Sequence, residues 1–152
     1  IGKPGIHIKK ENAYDHIFGY MVLNDISARD IQRNHKQFFL GKSLPGACPI
    51  GPCVVSKDEI NDPHDLNISC KVNGVTKQDS NTKYQIFDIP SQIEAISKST
   101  YLAPGDIIAT GTPSGVGFAR TPPEFLKNGD VVDCEIENIG KISNKVVEQD
   151  YQ

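Results

Sequence analysis

The chain has 152 residues, with 16 basic and 19 acidic side chains for a formal charge of −3. That length supports one domain with a real core, and the absence of a basic stripe or of aromatics interleaved with Lys or Arg argues against nucleic acid as a partner. No apolar run approaches the ~20 residues of a membrane helix and no signal-like segment opens the chain, so the expectation is a soluble, cytoplasmic protein with no membrane partner, in a reducing compartment.

The opening IGKPGIHI starts on Ile1 rather than Met and reads as a strand end entering a turn, which predicts a fragment whose first strand lies upstream. FGYMVL (18 to 23) is aromatic and β-branched enough for a buried strand, and Asp25 falls where it ends. Ser27 reads as a helix N-cap, with Asp30 three residues on near the positive helix end. A helix starting there puts Arg29 and Gln32 on one face. PIGPCVVS (49 to 56) reads as a strand and DPHD (62 to 65) as a turn that includes His64. In NISCKVNGVTKQ (67 to 78), Ile68, Cys70 and Val72 alternate up to Asn73-Gly74, a pair suited to a type I′ hairpin turn.

IPSQIEAISKS (89 to 99) places Ile89, Ile93 and Ile96 on one stripe behind Pro90 and Ser91, which predicts a short helix packed on a sheet. PGDIIATGT (104 to 112) reads as a turn, a short buried strand and a Gly-rich loop. NGDVVDCEIEN (128 to 138) reads as a turn and an alternating strand, and ISNKVV (142 to 147) as the last strand. Pro and Gly punctuation every ~10 residues predicts a β-rich fold of the sandwich, roll or barrel kind. The four cysteines, Cys48, Cys53, Cys70 and Cys134, form no CxxC and lie in or beside apolar stretches, so buried free thiols are expected rather than zinc or disulfides.

The chemistry concentrates in NDISARDIQ (24 to 32) and FFLGKS (38 to 43). An acid at a strand end must be solvated, paired or coordinated, so Asp25 is a metal-ligand candidate, with an ion pair to Arg29 as the plainer alternative. Arg29 offers a fork for a carboxylate, Lys42 a compact charge for an enolate or oxyanion, and Gln32 an amide for a substrate oxygen, though each type is also common on solvated surfaces. Two Phe and a Leu ahead of Lys42 are expected to desolvate its amine partly. The glycines of GTPSGVG (111 to 117) let backbone amides approach an anion, and Thr112 is the side chain best placed to touch a carboxylate. The loop lacks a Walker ending and GxGxxG spacing. Glu135 and Glu137 form an ExE on one strand face, but with Val132, Cys134 and Ile136 facing the core, Asp133, Glu135 and Glu137 are expected outward with no cation nearby. His7, His16, His35 and His64 show no ligand or triad spacing.

The ordered set FGYMVLNDISARDIQ, FLGKS, CPIGP, DPHDL, KVNG, PGDIIATGTPSGVG and the closing GD..DCEIE..G...NKVV resembles the fumarylacetoacetate hydrolase superfamily along nearly the whole chain. The resemblance implies an α+β, β-rich fold, the mixed β-roll of that family's C-terminal domain with a few short helices. It implies a single catalytic domain over residues 1 to 152, lacking its N-terminal strand and lid. It further implies a Mg²⁺ or Mn²⁺ enzyme acting on small β-diketo acids or related 2-oxo or enol dicarboxylates by C–C hydrolysis, decarboxylation or tautomerisation, as a homodimer. Carried over by position, Asp25 matches the metal-binding aspartate. Arg29, Gln32 and Lys42 match the substrate contacts, with Arg29 and Lys42 also catalytic through the enolate, and Thr112 matches the threonine facing the substrate carboxylate. The family's other metal carboxylates, an ExE, would precede Ile1, so the fragment alone is expected to bind metal weakly and to be inactive. A non-catalytic anion-binding module and a silent structural homologue share these residues and remain alternatives.

Overall fold

Residues 1–148 are described by the structure, a computed structural model. In chain order the regular elements are β1 (Gly19–Leu23), α1 (Arg29–His35), α2 (Phe39–Lys42), β2 (Ile50–Ser56), β3 (Asn67–Val72), β4 (Val75–Asn81), α3 (Ile89–Ser97), β5 (Val131–Ile136) and β6 (Gly140–Lys145), with short 3₁₀ turns between some of them. The α+β, β-rich class expected from the sequence is the class observed.

Two sheets carry the core. β1 and β2 form an antiparallel ribbon, and a second sheet has the order β4-β3-β5-β6, with antiparallel pairing throughout. Asn73 and Gly74 both take left-handed backbone, φ 51° and 78°, so the Asn-Gly pair makes the predicted tight turn between β3 and β4. Asn73 also fixes β5, because its side-chain amide donates to Asp130 at 2.8 Å and its Oδ1 accepts the Val131 N–H at 2.9 Å. Alternation along β5 buries Val132 and Cys134, which join Val22, Ile60, Leu66, Ile139 and Ile142 in one apolar cluster between the ribbon and the sheet.

A second cluster, Ile8, Ala13, Ile17, Ile89, Ile93 and Leu102, holds α3. The helix starts where its cap, Asp88, accepts the Ser91 N–H at 2.8 Å, and Pro90 in the first turn gives up no intrahelical hydrogen bond. Its apolar stripe packs mainly on the 3₁₀ turn Lys10–His16, not on a sheet face as expected. The reason is visible at Ser97: fully buried, its Oγ takes the Ile8 N–H at 3.0 Å and its carbonyl takes the His7 N–H at 2.7 Å, tying the helix to the N-terminal segment.

Residues 104 to 112 correct another expectation. They form the predicted turn but no strand, and Ile107 is 50% exposed, because the run finds no neighbouring strand among the described residues to complete a ladder. The cysteines divide: Cys134 is buried and Cys70 half-buried, but Cys48 and Cys53 are exposed, against the expectation of four buried thiols.

Candidate active site

β1 delivers the chain to the site, and two backbone hydrogen bonds hold its exit. Asn24 N–H donates to Pro49 at 3.0 Å and Ile26 N–H to Ala47 at 3.0 Å. Asp25 therefore leaves the core with an exposed side chain, as its place at the strand end predicts. Ser27 does not cap α1, because its hydroxyl turns back to the Asp25 carbonyl at 3.3 Å. The helix begins instead after Ala28, whose N–H is taken by the Gly41 carbonyl at 2.8 Å. That bond joins the start of α1 to α2 and so fixes the position of Lys42.

Lys42 Nζ donates to the Asp25 carboxylate. The ion pair of Asp25 is thus with Lys42 and not with Arg29. The Lys42 side chain is 35% exposed and that of Asp25 39%, so solvent screens the pair. Phe38 and Phe39, expected to help desolvate the amine, are themselves 65% and 75% exposed.

Arg29 and Gln32 do share a face of α1. Arg29 Nη1 donates to Gln32 Oε1 at 3.1 Å. Gln32 is buried, and its Nε2 has no hydrogen-bond partner. A buried amide left unmade costs about 1–3 kcal/mol, so this group is a donor in want of an acceptor.

Thr112 sits on a loop clamped to the sheet edge. Gln78 Nε2 from β4 donates to Thr112 Oγ1 at 2.9 Å and to the Pro113 carbonyl at 2.7 Å. β4 carries a bulge here: Cys70 pairs with Gln78 and Lys71 with Thr76, which leaves Lys77 without a partner in β3. The freed Lys77 carbonyl accepts from Arg120 Nη2 at 2.5 Å, and Arg120 Nε donates to the Gly115 carbonyl at 3.1 Å. Gly115 runs so close beneath that a Cβ would collide with the Lys77 carbonyl, and its φ of 102° suits only glycine. The Lys77 ammonium also reaches Glu124 at 2.5 Å and holds its carboxyl below the usual range. The loop then crosses to α1, where Arg29 and Arg33 lie over the Phe118 ring at 5.5 and 4.7 Å.

A hollow of about 150 Å³ is lined largely by apolar side chains including Tyr20, Ile89, Ile93 and Ile107, and by none of Asp25, Arg29, Gln32, Lys42 and Thr112. Two of its lining residues, Leu23 and Thr110, are each two positions from Asp25 and Thr112 in the chain. Glu135 and Glu137 stay outside the cluster, exposed on the other sheet face, as alternation predicts. Asp133 faces outward with a cation after all: Lys141 on β6 stands 3.1 Å away and, after the hydrogen bond from Ser143, helps hold the Asp133 carboxyl below the usual range.

The sequence reading missed Gln78, Phe118, Arg33 and Arg120. Phe118 offered a signal, a lone aromatic directly after the glycines. Gln78 offered none, because nothing in a strand sequence announces which loop will cross its edge.

Asp25 has the hard oxygen that a divalent cation prefers. Among the described residues, however, no group of three or more His, Cys, Asp or Glu side chains could hold a metal ion. Asp25 fits as one ligand, and the other described residues do not complete a set.

The profile described as "Fumarylacetoacetate (FAA) hydrolase C-terminal" matches residues 1–147. This chain belongs to the fumarylacetoacetate hydrolase family. Among curated members it is 53% identical over 146 residues to the protein named oxaloacetate tautomerase YisK of Bacillus subtilis, covering 96% of this chain and 48% of that protein. Among solved structures, fumarylacetoacetate hydrolase from psychrophilic Exiguobacterium antarcticum superimposes with a TM-score of 0.95 at 45% identity, covering 98% of this chain and 53% of that one. A 2-hydroxyhepta-2,4-diene-1,7-dioate isomerase from Mycobacterium marinum gives a TM-score of 0.87 at 41% identity, over 97% of this chain and 54% of that one. The chain spans about half the length of these relatives.

Proposed function

We propose that the protein carrying this chain is an enzyme that tautomerises a small 2-oxo dicarboxylic acid of the oxaloacetate type. The arrangement that supports this reading is the pairing of two cationic heads with an orphaned buried amide across the α1–α2 junction. Arg29 receives a substrate carboxylate in its fork, oriented by Gln32 behind it and by the Phe118 ring beside it. Gln32 Nε2, buried without a partner, donates to a substrate oxygen. Lys42 lies across the junction, its ammonium held by Asp25, and stabilises the negative oxygen that develops when a proton leaves the neighbouring carbon. Thr112 Oγ1 accepts from Gln78, which leaves its own hydroxyl hydrogen free to meet a second carboxylate.

A Mg²⁺ or Mn²⁺ ion with Asp25 as one ligand would supply Lewis-acid polarisation of the 2-oxo carbonyl. The names borne by the relatives favour tautomerisation or isomerisation of oxo acids, and hydrolysis is the neighbouring activity within the family. The test is an assay with Mg²⁺ of the whole protein carrying this chain against oxaloacetate, an acylpyruvate and an unsaturated hydroxy-dicarboxylate. Catalysed enol–keto exchange of oxaloacetate supports the reading; turnover of the acylpyruvate alone replaces it with C–C hydrolysis.

A further inference from the structure

We infer that Cys70 and Cys134 form a dithiol site at which a peroxide makes a disulfide between β3 and β5. The two residues are direct partners in the antiparallel register of these strands. Directly opposed residues share a sheet face, and their Cα atoms lie about 4.5 or 5.5 Å apart in either kind of antiparallel pair, both within the span that a disulfide bridges. The sulfurs are already in contact at 3.7 Å, with the Cys134 thiol donating to Cys70 Sγ. Side-chain rotation is the movement still needed to bring them to bonding distance.

The site is asymmetric. Cys70 is half-buried and Cys134 is buried. The Cys134 hydrogen bond pulls the Cys70 thiol down to about 7, while the same bond, with burial, pushes Cys134 up. Cys70 is therefore the thiolate that meets the oxidant. Its sulfur attacks one oxygen of the peroxide, the O–O bond breaks, and sulfenic acid and hydroxide result. Cys134 sulfur then attacks the Cys70 sulfenic sulfur; the S–S bond forms, and the sulfenic oxygen leaves as water with the thiol proton. Two thiols and one peroxide give one disulfide and two waters.

Position gives the bond a reach beyond the two strands. Gln78, Cys70, Cys134 and Ile142 occupy one row across β4, β3, β5 and β6. The dithiol is thus one strand from the amide that holds Thr112.

The experiment treats the whole protein carrying this chain with hydrogen peroxide, blocks free thiols by alkylation and maps the digest by mass spectrometry. The expected result is a linked peptide pair joining Cys70 to Cys134, a chain lighter by about two mass units for the two hydrogens lost, and full reversal by dithiothreitol. The same link is expected in a Cys48→Ser/Cys53→Ser variant, which removes the exposed thiols. In a Cys134→Ser variant a dimedone adduct on Cys70 is expected in place of the link; wild-type mapping decides alone if that variant does not fold. Alkylation of both Cys70 and Cys134 after oxidation, sulfinic acid at Cys70 with Cys134 still free, or links made only through Cys48 or Cys53 would each overturn the inference.

Discussion

Gly41 lies flat against Gln32: a Cβ on Gly41 would stand 2.5 Å from Gln32 Cγ and 2.8 Å from the Ala28 carbonyl oxygen. The close approach lets α1 and α2 pack with the Arg29–Gln32 pair on one and Lys42 on the other. In an isolated helix alanine would be preferred here by about 1 kcal/mol. At this contact the clash outweighs that preference, because one of the colliding atoms is backbone. Gly41→Ala is expected to destabilise by about 1–3 kcal/mol, several degrees in thermal midpoint, and to lower activity further by displacing Gln32. Calorimetry beside a steady-state assay checks both halves, and a fully active, equally stable variant would show that the junction tolerates separation.

Lys42→Ala separates chemistry from folding. A solvent-screened ion pair contributes about 0–1 kcal/mol, so the midpoint is expected to move little. Turnover of the whole protein carrying this chain is expected to fall by ~10²–10³-fold, the scale of losing one donor to a developing oxyanion. Unchanged kcat would remove Lys42 from the reaction.

Arg29→Lys keeps the charge and loses the fork. A carboxylate held by two hydrogen bonds from Arg29 loses about 1.5–3 kcal/mol, so KM is expected to rise roughly 10- to 100-fold. Substrate titration of the variant reads this directly, and an unaltered KM would place the substrate carboxylate elsewhere.

Acid is expected to weaken the contacts made by Asp88 and Glu124. Asp88 is held far below the usual carboxylate range by the Lys10 side chain and by Ser91, and Glu124 is held low by Lys77. A depressed folded-state value means that the unfolded chain binds more protons. The stability from both groups is therefore present above the unfolded value near pH 4 and is lost as pH falls through the lower folded values. Asp88→Asn keeps the cap acceptor and loses the charge, so its midpoint is expected to vary less with pH below 4 than the parent's; Asp88→Ala loses both and is expected to melt lowest at neutral pH. Thermal melts from pH 2 to 7 resolve the three, and parallel curves would mean that Asp88 titrates alike in both states.

Much of the fold could be read from local rules. The Asn73-Gly74 turn needs only the backbone freedom of two residues, and the buried face of β5 needs only alternation. Where tertiary structure decides, the reading failed. Ser27 has the chemistry of a cap, but the Gly41 carbonyl captures the Ala28 N–H and starts the helix one residue later. Ile107 and Ile108 have the composition of a strand and no ladder partner among the described residues. At the candidate site, the grouping of Asp25, Arg29, Gln32 and Lys42 was legible because they lie within eighteen positions and one packed junction. The anchor of Thr112 was not, since Gln78 is 34 residues away in sequence.

Lys77 belongs to β4 by sequence and to the glycine loop by attachment. The ladder passes it by, so its deletion would leave Thr76 opposite Lys71 and Gln78 opposite Cys70. The sheet would be more regular, yet Glu124 would lose its ammonium partner and Arg120 its bond to the strand, keeping the one to the Gly115 carbonyl. One surplus residue thus makes the difference between a strand that ends in its own hairpin and one that carries cargo along its rim.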